Sequence, residues 1–148
     1  MHAIEIRTGE APDVEAFLLE RIYAHNAAAT GYADAESFHA LLKDQSGRIV
    51  GGICGYTWGG CCHISYLWVA QAERHVGHGS ALLNAVERHA RGKNCRMMWL
   101  STHTFQAPGF YPRRGYEQIA RIDGHPRGHA SLLYVKHLAN PLGAGPVQ

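Results

Sequence analysis

The spacing of apolar positions changes period once near the middle of the chain, and the elements on either side of that change set the reading of the rest. Residues 61–70 form an apolar run rich in β-preferring types (Ile64, Tyr66, Leu67, Trp68, Val69) and predict a buried strand. From Gly79 the spacing becomes helical. Leu82, Val86 and Ala90 recur four apart with Leu83 beside them, which makes one helix face. Arg88 and Arg91 lie near the helix end, where cations suit the dipole, and Gly92 fits the position just past it. Between the two elements stands Arg74-His75-Val76-Gly77-His78-Gly79. A strand, a glycine turn and a helix make an anion site, because the first amides of a helix have no partners within it and point toward the turn.

Upstream, residues 3–7 alternate and predict a first strand. Pro12, followed by Asp13 and Glu15, opens a helix with an apolar face of Val14, Phe17, Leu18 and Ile22, ending by Gly31. Residues 32–36 read as a loop or short helical turn. Residues 37–43 fit either period. A strand is chosen because Asp44-Gln45-Ser46-Gly47 suits a hairpin leading into a clear strand at 48–58. Gly51, Gly52 and Gly55 within that strand imply a bulge or a close backbone contact. Gly59-Gly60 is a second tight turn. Downstream, 96–102 is a buried strand, and 107–114 is a short helical segment with Pro108 near its start and Gly115 at its end. Strands at 116–122 and 130–137 flank a loop, and the tail from 140 is expected to be flexible. This order predicts a single domain over 1–139 of α/β (α+β) class, with a mixed sheet and helices. The central strand–helix–strand is a right-handed parallel crossover, and a phosphate ligand would sit at its first joint.

Charge and composition narrow the partners. A formal net charge of +2 is too small to argue for nucleic acid or an anionic membrane. No apolar run approaches the roughly 20 residues that span a bilayer. The first ten residues, MHAIEIRTGE, are too acidic for a signal peptide, so a cytoplasmic location is expected. The histidines, 11 in all, would make the surface basic below about pH 6.5. Cys54, Cys61, Cys62 and Cys95 form no Cys-x-x-Cys, and all are placed on predicted strands. Consecutive strand side chains point to opposite faces, so Cys61-Cys62-His63 does not converge on an ion, and no metal site is expected.

Arg-x-x-Gly-x-Gly at the strand–helix joint resembles the signature of the GNAT superfamily of N-acetyltransferases, Gln/Arg-x-x-Gly-x-Gly/Ala, matched by Arg74, Gly77 and Gly79. The segment from Ala107 through Tyr111 to Gly115-Tyr116 resembles that family's Ala-x-x-x-Tyr-x-x-x-Gly-Phe/Tyr. A Rossmann fingerprint is not met, since Leu82 stands where its third glycine belongs, and no Walker Gly-Lys-Ser/Thr occurs. The resemblance implies a mostly antiparallel sheet of about seven strands, with a central parallel pair, 61–70 and 96–102, that splays apart.

It also implies acetyl-CoA as co-substrate, with no metal. The pyrophosphate would rest on amides of His75, Val76, Gly77, His78, Gly79 and Ser80, beside Arg74. Pantetheine would pair with the edge of Leu67, Trp68 and Val69, and a backbone N–H near Leu67 would hold the oxyanion. Tyr111 would protonate the departing CoA thiolate. His63, eleven residues before Arg74, takes the position of a glutamate base in protein-acetylating relatives; His103 or ordered water are the alternatives. Many relatives have an asparagine seven residues before the tyrosine. Here that position is Thr104, with Gln106 and Ala107 nearby. The implied reaction is direct acetyl transfer to the primary amine of a small molecule, with Tyr23, Asn26, Tyr32 and Trp58 toward the acceptor. The alternatives are a peptide N-terminal or lysine acetyltransferase and a non-catalytic acyl-CoA-binding module. A homodimer is compatible with the resemblance.

Overall fold

The computed structural model describes residues 1–138, so the tail from 140 lies outside the described residues. Two units are taken in turn, residues 1–33 and residues 34 onward. In the first, helix α1 runs Pro12–Thr30. Pro12 occupies the first turn, where its missing N–H is no loss, and Asp13 and Glu15 lie at the positive end. Gly31 closes the helix at φ 78° and donates its N–H to the Ala27 carbonyl at 2.8 Å. The strand expected at 3–7 does not form. A strand exists through its ladder, and these residues have none; Glu5 and Arg7, which the alternation places on one side, pair with each other at 3.0 Å.

The second unit carries one sheet of strands β1 (Glu36–Lys43), β2 (Ile49–Trp58), β3 (Cys61–Val69), β4 (Met97–His103), β5 (Glu117–Asp123) and β6 (Ala130–His137). Helix α2 spans His78–Gly92. The spatial order is β1-β2-β3-β4-β6-β5, six strands among the described residues rather than about seven, because the first expected strand does not form there. All pairings are antiparallel except β3 with β4. The first hairpin is set by Asp44, whose Oδ1 accepts from the amides of Ser46 (2.9 Å) and Arg48 (3.0 Å). Gly59 and Gly60 make the second hairpin turn, with φ 57° and 81°.

Helix α2 lays Leu82, Leu83, Val86 and Ala90 over one face of the sheet, against Ile53, Cys62, Ile64, Met98 and Leu100. The helix includes Gly92, expected just beyond it, and Lys93 closes it. β3 is buried only in its first half; Tyr66 and Trp68 are exposed. Cys95 stands before β4 rather than on a strand, and all four cysteines are free thiols. Burial pushes the Cys62 thiol up to about 12.

The segment 107–114 is not an α-helix. It is a turn followed by a 3-10 helix, Pro112–Arg114. An α-helix there would need an N–H at Pro112 to reach the carbonyl of Pro108, and proline has none. The Tyr134 hydroxyl donates to that carbonyl instead, at 3.4 Å.

Candidate active site

β3 and β4 pair for three residues only, Cys61↔Met97, Cys62↔Met98 and His63↔Trp99. Beyond His63 the edge of β3 that faces β4 has no ladder partner among the described residues, while its other edge continues on β2 through Ile53↔Leu67, Gly52↔Trp68 and Gly51↔Val69. Leu67, Trp68 and Val69 therefore form the open side of a wedge between two parallel strands.

A bulge in β2 at Cys54/Gly55 helps shape this place. A Cβ on Gly55 would lie 1.9 Å from the His63 carbonyl oxygen, so only glycine lets the two strands come together there. His63 alternates with Cys62 and Ile64, which point into the core under α2, so its ring lies on the other face. It packs against Trp99 (centroids 4.0 Å apart) and Tyr56 (5.0 Å). Its Nδ1 is 3.4 Å from Ser65 Oγ. Burial lowers the pKa of His63 below the usual imidazole value.

At the wide end of the wedge, a 3-10 turn, Gln71–Glu73, leads from β3 into the glycine loop. Arg74 does not reach outward with all of its guanidinium: its Nε donates to the Val69 carbonyl at 2.9 Å and ties the loop to the end of β3. His75 and Gly77 both have positive φ, 65° and 93°. Val76 is exposed. Gly77 is the N-cap of α2 and has open space where a Cβ would be. The first helical bond runs from the Ala81 amide to the Gly77 carbonyl at 2.9 Å, so the amides of His78, Gly79 and Ser80 come before the ladder. His78 Nε2 is 3.5 Å from Glu73 Oε2.

Gly79 has a different reason from Gly77. A Cβ on Gly79 would meet the Phe110 ring at 3.2 Å, so this glycine makes room for the turn that carries Tyr111. Tyr111 is 7% exposed and belongs to the core on the α2 side. Its ring meets Phe110 edge-on at 5.0 Å and lies near Tyr116 and Tyr134. Burial pushes its phenol up to about 12, while the charge of Arg114 pulls the other way. The spacing of the sequence did not single out Arg114, which bonds Ser80 across the fold. An arginine doublet before Gly115 is its only trace in sequence, and proximity to α2 appears only when the chain is folded.

The residues near the asparagine position are committed to the exit of β4. Thr104 exchanges hydrogen bonds with the backbone of Ala130, its N–H donating to the carbonyl (3.0 Å) and its Oγ1 accepting from the amide (3.1 Å). Gln106 Oε1 accepts from Thr102 Oγ1 (2.7 Å) and the His103 amide (2.9 Å). The Ala107 carbonyl accepts from the Phe110 amide at 3.1 Å. His103 stacks on Phe105, with its Nδ1 buried and unpartnered. Among the described residues no group of His, Cys, Asp and Glu is arranged to hold a metal ion, and no helix is long and apolar enough to cross a membrane.

A parallel pair that parts after three residues, with a glycine loop and a helix N-terminus beyond it, is the arrangement that the resemblance to acetyl-CoA-dependent acyltransferases implies, and the comparisons show that class. The acetyltransferase (GNAT) family model matches residues 4–116. The chain is 39% identical to blasticidin-S acetyltransferase of Streptomyces morookaense over 104 residues, covering 70% of this chain and 76% of that protein. A crystal structure of an acetyltransferase from Bacillus cereus superposes with TM-score 0.77 at 31% identity, covering 91% of this chain and 98% of that one. A structure described as a streptothricin acetyltransferase from Bacillus anthracis, in complex with acetyl coenzyme A, shares the fold at TM-score 0.61 and 18% identity, covering 70% of this chain and 63% of that one. The chain belongs to the GNAT acetyltransferase family. It is an acyltransferase, and its acetyl donor is acetyl-CoA.

Proposed function

We propose that the protein moves the acetyl group of acetyl-CoA to the primary amine of a small molecule by direct attack within a ternary complex. The observation that carries this reading is the wedge itself. The β3–β4 ladder stops at His63↔Trp99, and the strand edge beyond it leads to the free amides at the start of α2. Pantetheine amides extend that ladder along Leu67–Val69, and the pyrophosphate lies on the amides of residues 77–80, at the positive end of α2. A backbone N–H near Leu67 takes the oxyanion of the tetrahedral intermediate.

The placement of His63 and Tyr111 supports a direct transfer. They belong to opposite faces of the sheet. His63, held neutral at pH 7, takes the proton of the attacking amine on one side. Tyr111, protonated throughout the neutral range, gives its proton to the CoA sulfur on the other. Similarity to a blasticidin-S acetyltransferase supports a small molecule as acceptor rather than a peptide.

The test is purified protein with acetyl-CoA and a panel of amines that includes blasticidin S, polyamines, amino acids and lysine peptides, read by CoA thiol release. Turnover is expected with a small amine, and turnover with peptides alone would overturn the acceptor class. Tyr111→Phe is expected to lower kcat by about a hundredfold. Unchanged kcat in that variant would remove Tyr111 from the acid role.

A further inference from the structure

We infer that Arg114 is a positioning residue of the acetyl-CoA site, joining the turn that carries Tyr111 to the first turn of α2 through Ser80. The inference rests on the acetyl-CoA site described above and adds to it a residue and a coupling.

Arg114 donates through Nε to Ser80 Oγ at 3.0 Å, and Nη2 bonds the same oxygen. Two donors on one hydroxyl oxygen occupy both of its lone pairs, so the hydroxyl hydrogen points elsewhere. Ser80 thus becomes an O–H donor beside the unpaired amides of α2, polarised by a permanent cation behind it. The other basic side chains near this turn are held differently. Arg74 is tied by Nε to the Val69 carbonyl, and His78 faces Glu73. Arg114 is the charge that reaches α2 through a first-turn side chain.

The same guanidinium also fixes the tyrosine turn. Its Nη1 donates to the Phe110 carbonyl at 2.7 Å, and its plane covers the Phe110 ring at 3.7 Å. Phe110 fills the space left by Gly79. The Tyr111 carbonyl accepts from the Arg114 amide at 2.9 Å. Gly79, Ser80, Phe110 and Arg114 are therefore one clamp, with Tyr111 next in line. A diphosphate seated on the first turn of α2 bears on the clamp at Ser80, and the clamp sets where the Tyr111 hydroxyl stands.

The experiment measures CoA affinity by calorimetry and turnover with the best amine of the panel, using acetyl-CoA and S-acetylpantetheine, which lacks the diphosphate. Melting temperature is recorded for each variant. Arg114→Gln and Ser80→Ala are each expected to weaken CoA by about tenfold, and the double variant by no more than the worse single one. Arg114→Gln is expected to lower kcat about tenfold with S-acetylpantetheine as well, and to add nothing further in a Tyr111→Phe background. Arg113→Gln removes the same charge from an exposed neighbour and is expected to change neither. Should Arg114→Gln fail to fold, Arg114→Lys serves: it is expected to recover part of the CoA affinity but not kcat, because one ammonium cannot hold Ser80 and the Phe110 carbonyl together.

Full recovery in Arg114→Lys, unchanged affinity and kcat in Arg114→Gln, or additive losses in either double variant would overturn the inference. Gly77→Val separates it from the reading beneath it. If Gly77→Val leaves CoA affinity intact, the site itself is misplaced; if it abolishes affinity while Arg114→Gln does nothing, only the clamp is wrong.

Discussion

His63 shows how much of a residue's chemistry is set by its neighbours. Its ring is packed between Trp99 and Tyr56, and burial makes the charged form costly, so its pKa lies below the unperturbed value near 6.5. As the proposed base, His63 would act in its neutral form. The acid limb of kcat/KM is therefore expected to have its midpoint below pH 6.5, and His63→Gln to remove that limb and lower kcat by about tenfold or more. Stability carries the same sign. The unfolded chain protonates His63 first, so the folded state keeps its full margin above about pH 6.5 and loses some of it as pH falls through the window between the unfolded and folded values. Chemical denaturation at several pH values is expected to show that decline, flattened in His63→Gln. At this scale the sequence was readable where local backbone chemistry decides, as at Gly77, whose positive φ opens α2. It was not readable where meaning came from across the fold. Gly79 looks like part of an anion loop, yet its missing Cβ accommodates Phe110. Thr104 and Gln106 look available, yet their polar groups hold the exit of β4.

Among the elements, α2 is bound to the sheet by more than its apolar face. Glu87, buried on that helix, takes Lys136 of β6 at 2.9 and 3.1 Å and the Tyr116 hydroxyl at 3.4 Å. Tyr116 in turn donates its amide to the Tyr111 carbonyl at 3.2 Å, so the buried network ends at the tyrosine turn. Burial and the Glu87 carboxylate push the Tyr116 phenol far up. Removing one member of a buried pair strands the other. Lys136→Met is expected to lose about 3 kcal/mol in chemical denaturation, and Lys136→Met with Glu87→Leu to recover most of it. Glu87 sits within the run of Leu82, Leu83, Val86 and Ala90, and helical period alone does not say that a glutamate there faces inward. Two elements depart from what their patterns predict, for related reasons. Alternation at 3–7 predicts a strand but cannot supply a ladder partner. The apolar pattern at 107–114 suggests a helix but ignores the N–H that Pro112 lacks.

For the chain as a whole, the strand–turn–helix–strand order around Arg74-x-x-Gly-x-Gly was legible because local periods and glycine chemistry determine it. The extent of the β3–β4 contact was not, because nothing in either strand marks where pairing stops. That contact has a further consequence, for the order of assembly. β1, β2 and β3 are joined by tight turns, and β5 and β6 by a short loop, so their pairings close small loops. The parallel join of Cys61–His63 with Met97–Trp99 closes only after α2 has been ordered between them, and three residue pairs repay that larger loss of chain freedom. The join is therefore expected to form after the folding transition state. In stopped-flow chevrons, Cys62→Ala and Met98→Ala should mainly speed unfolding, with φ below about 0.3, whereas Ile53→Ala in the meander should slow folding, with φ above about 0.5. The strand separation proposed to admit the donor would then also be the last seam of the sheet to close.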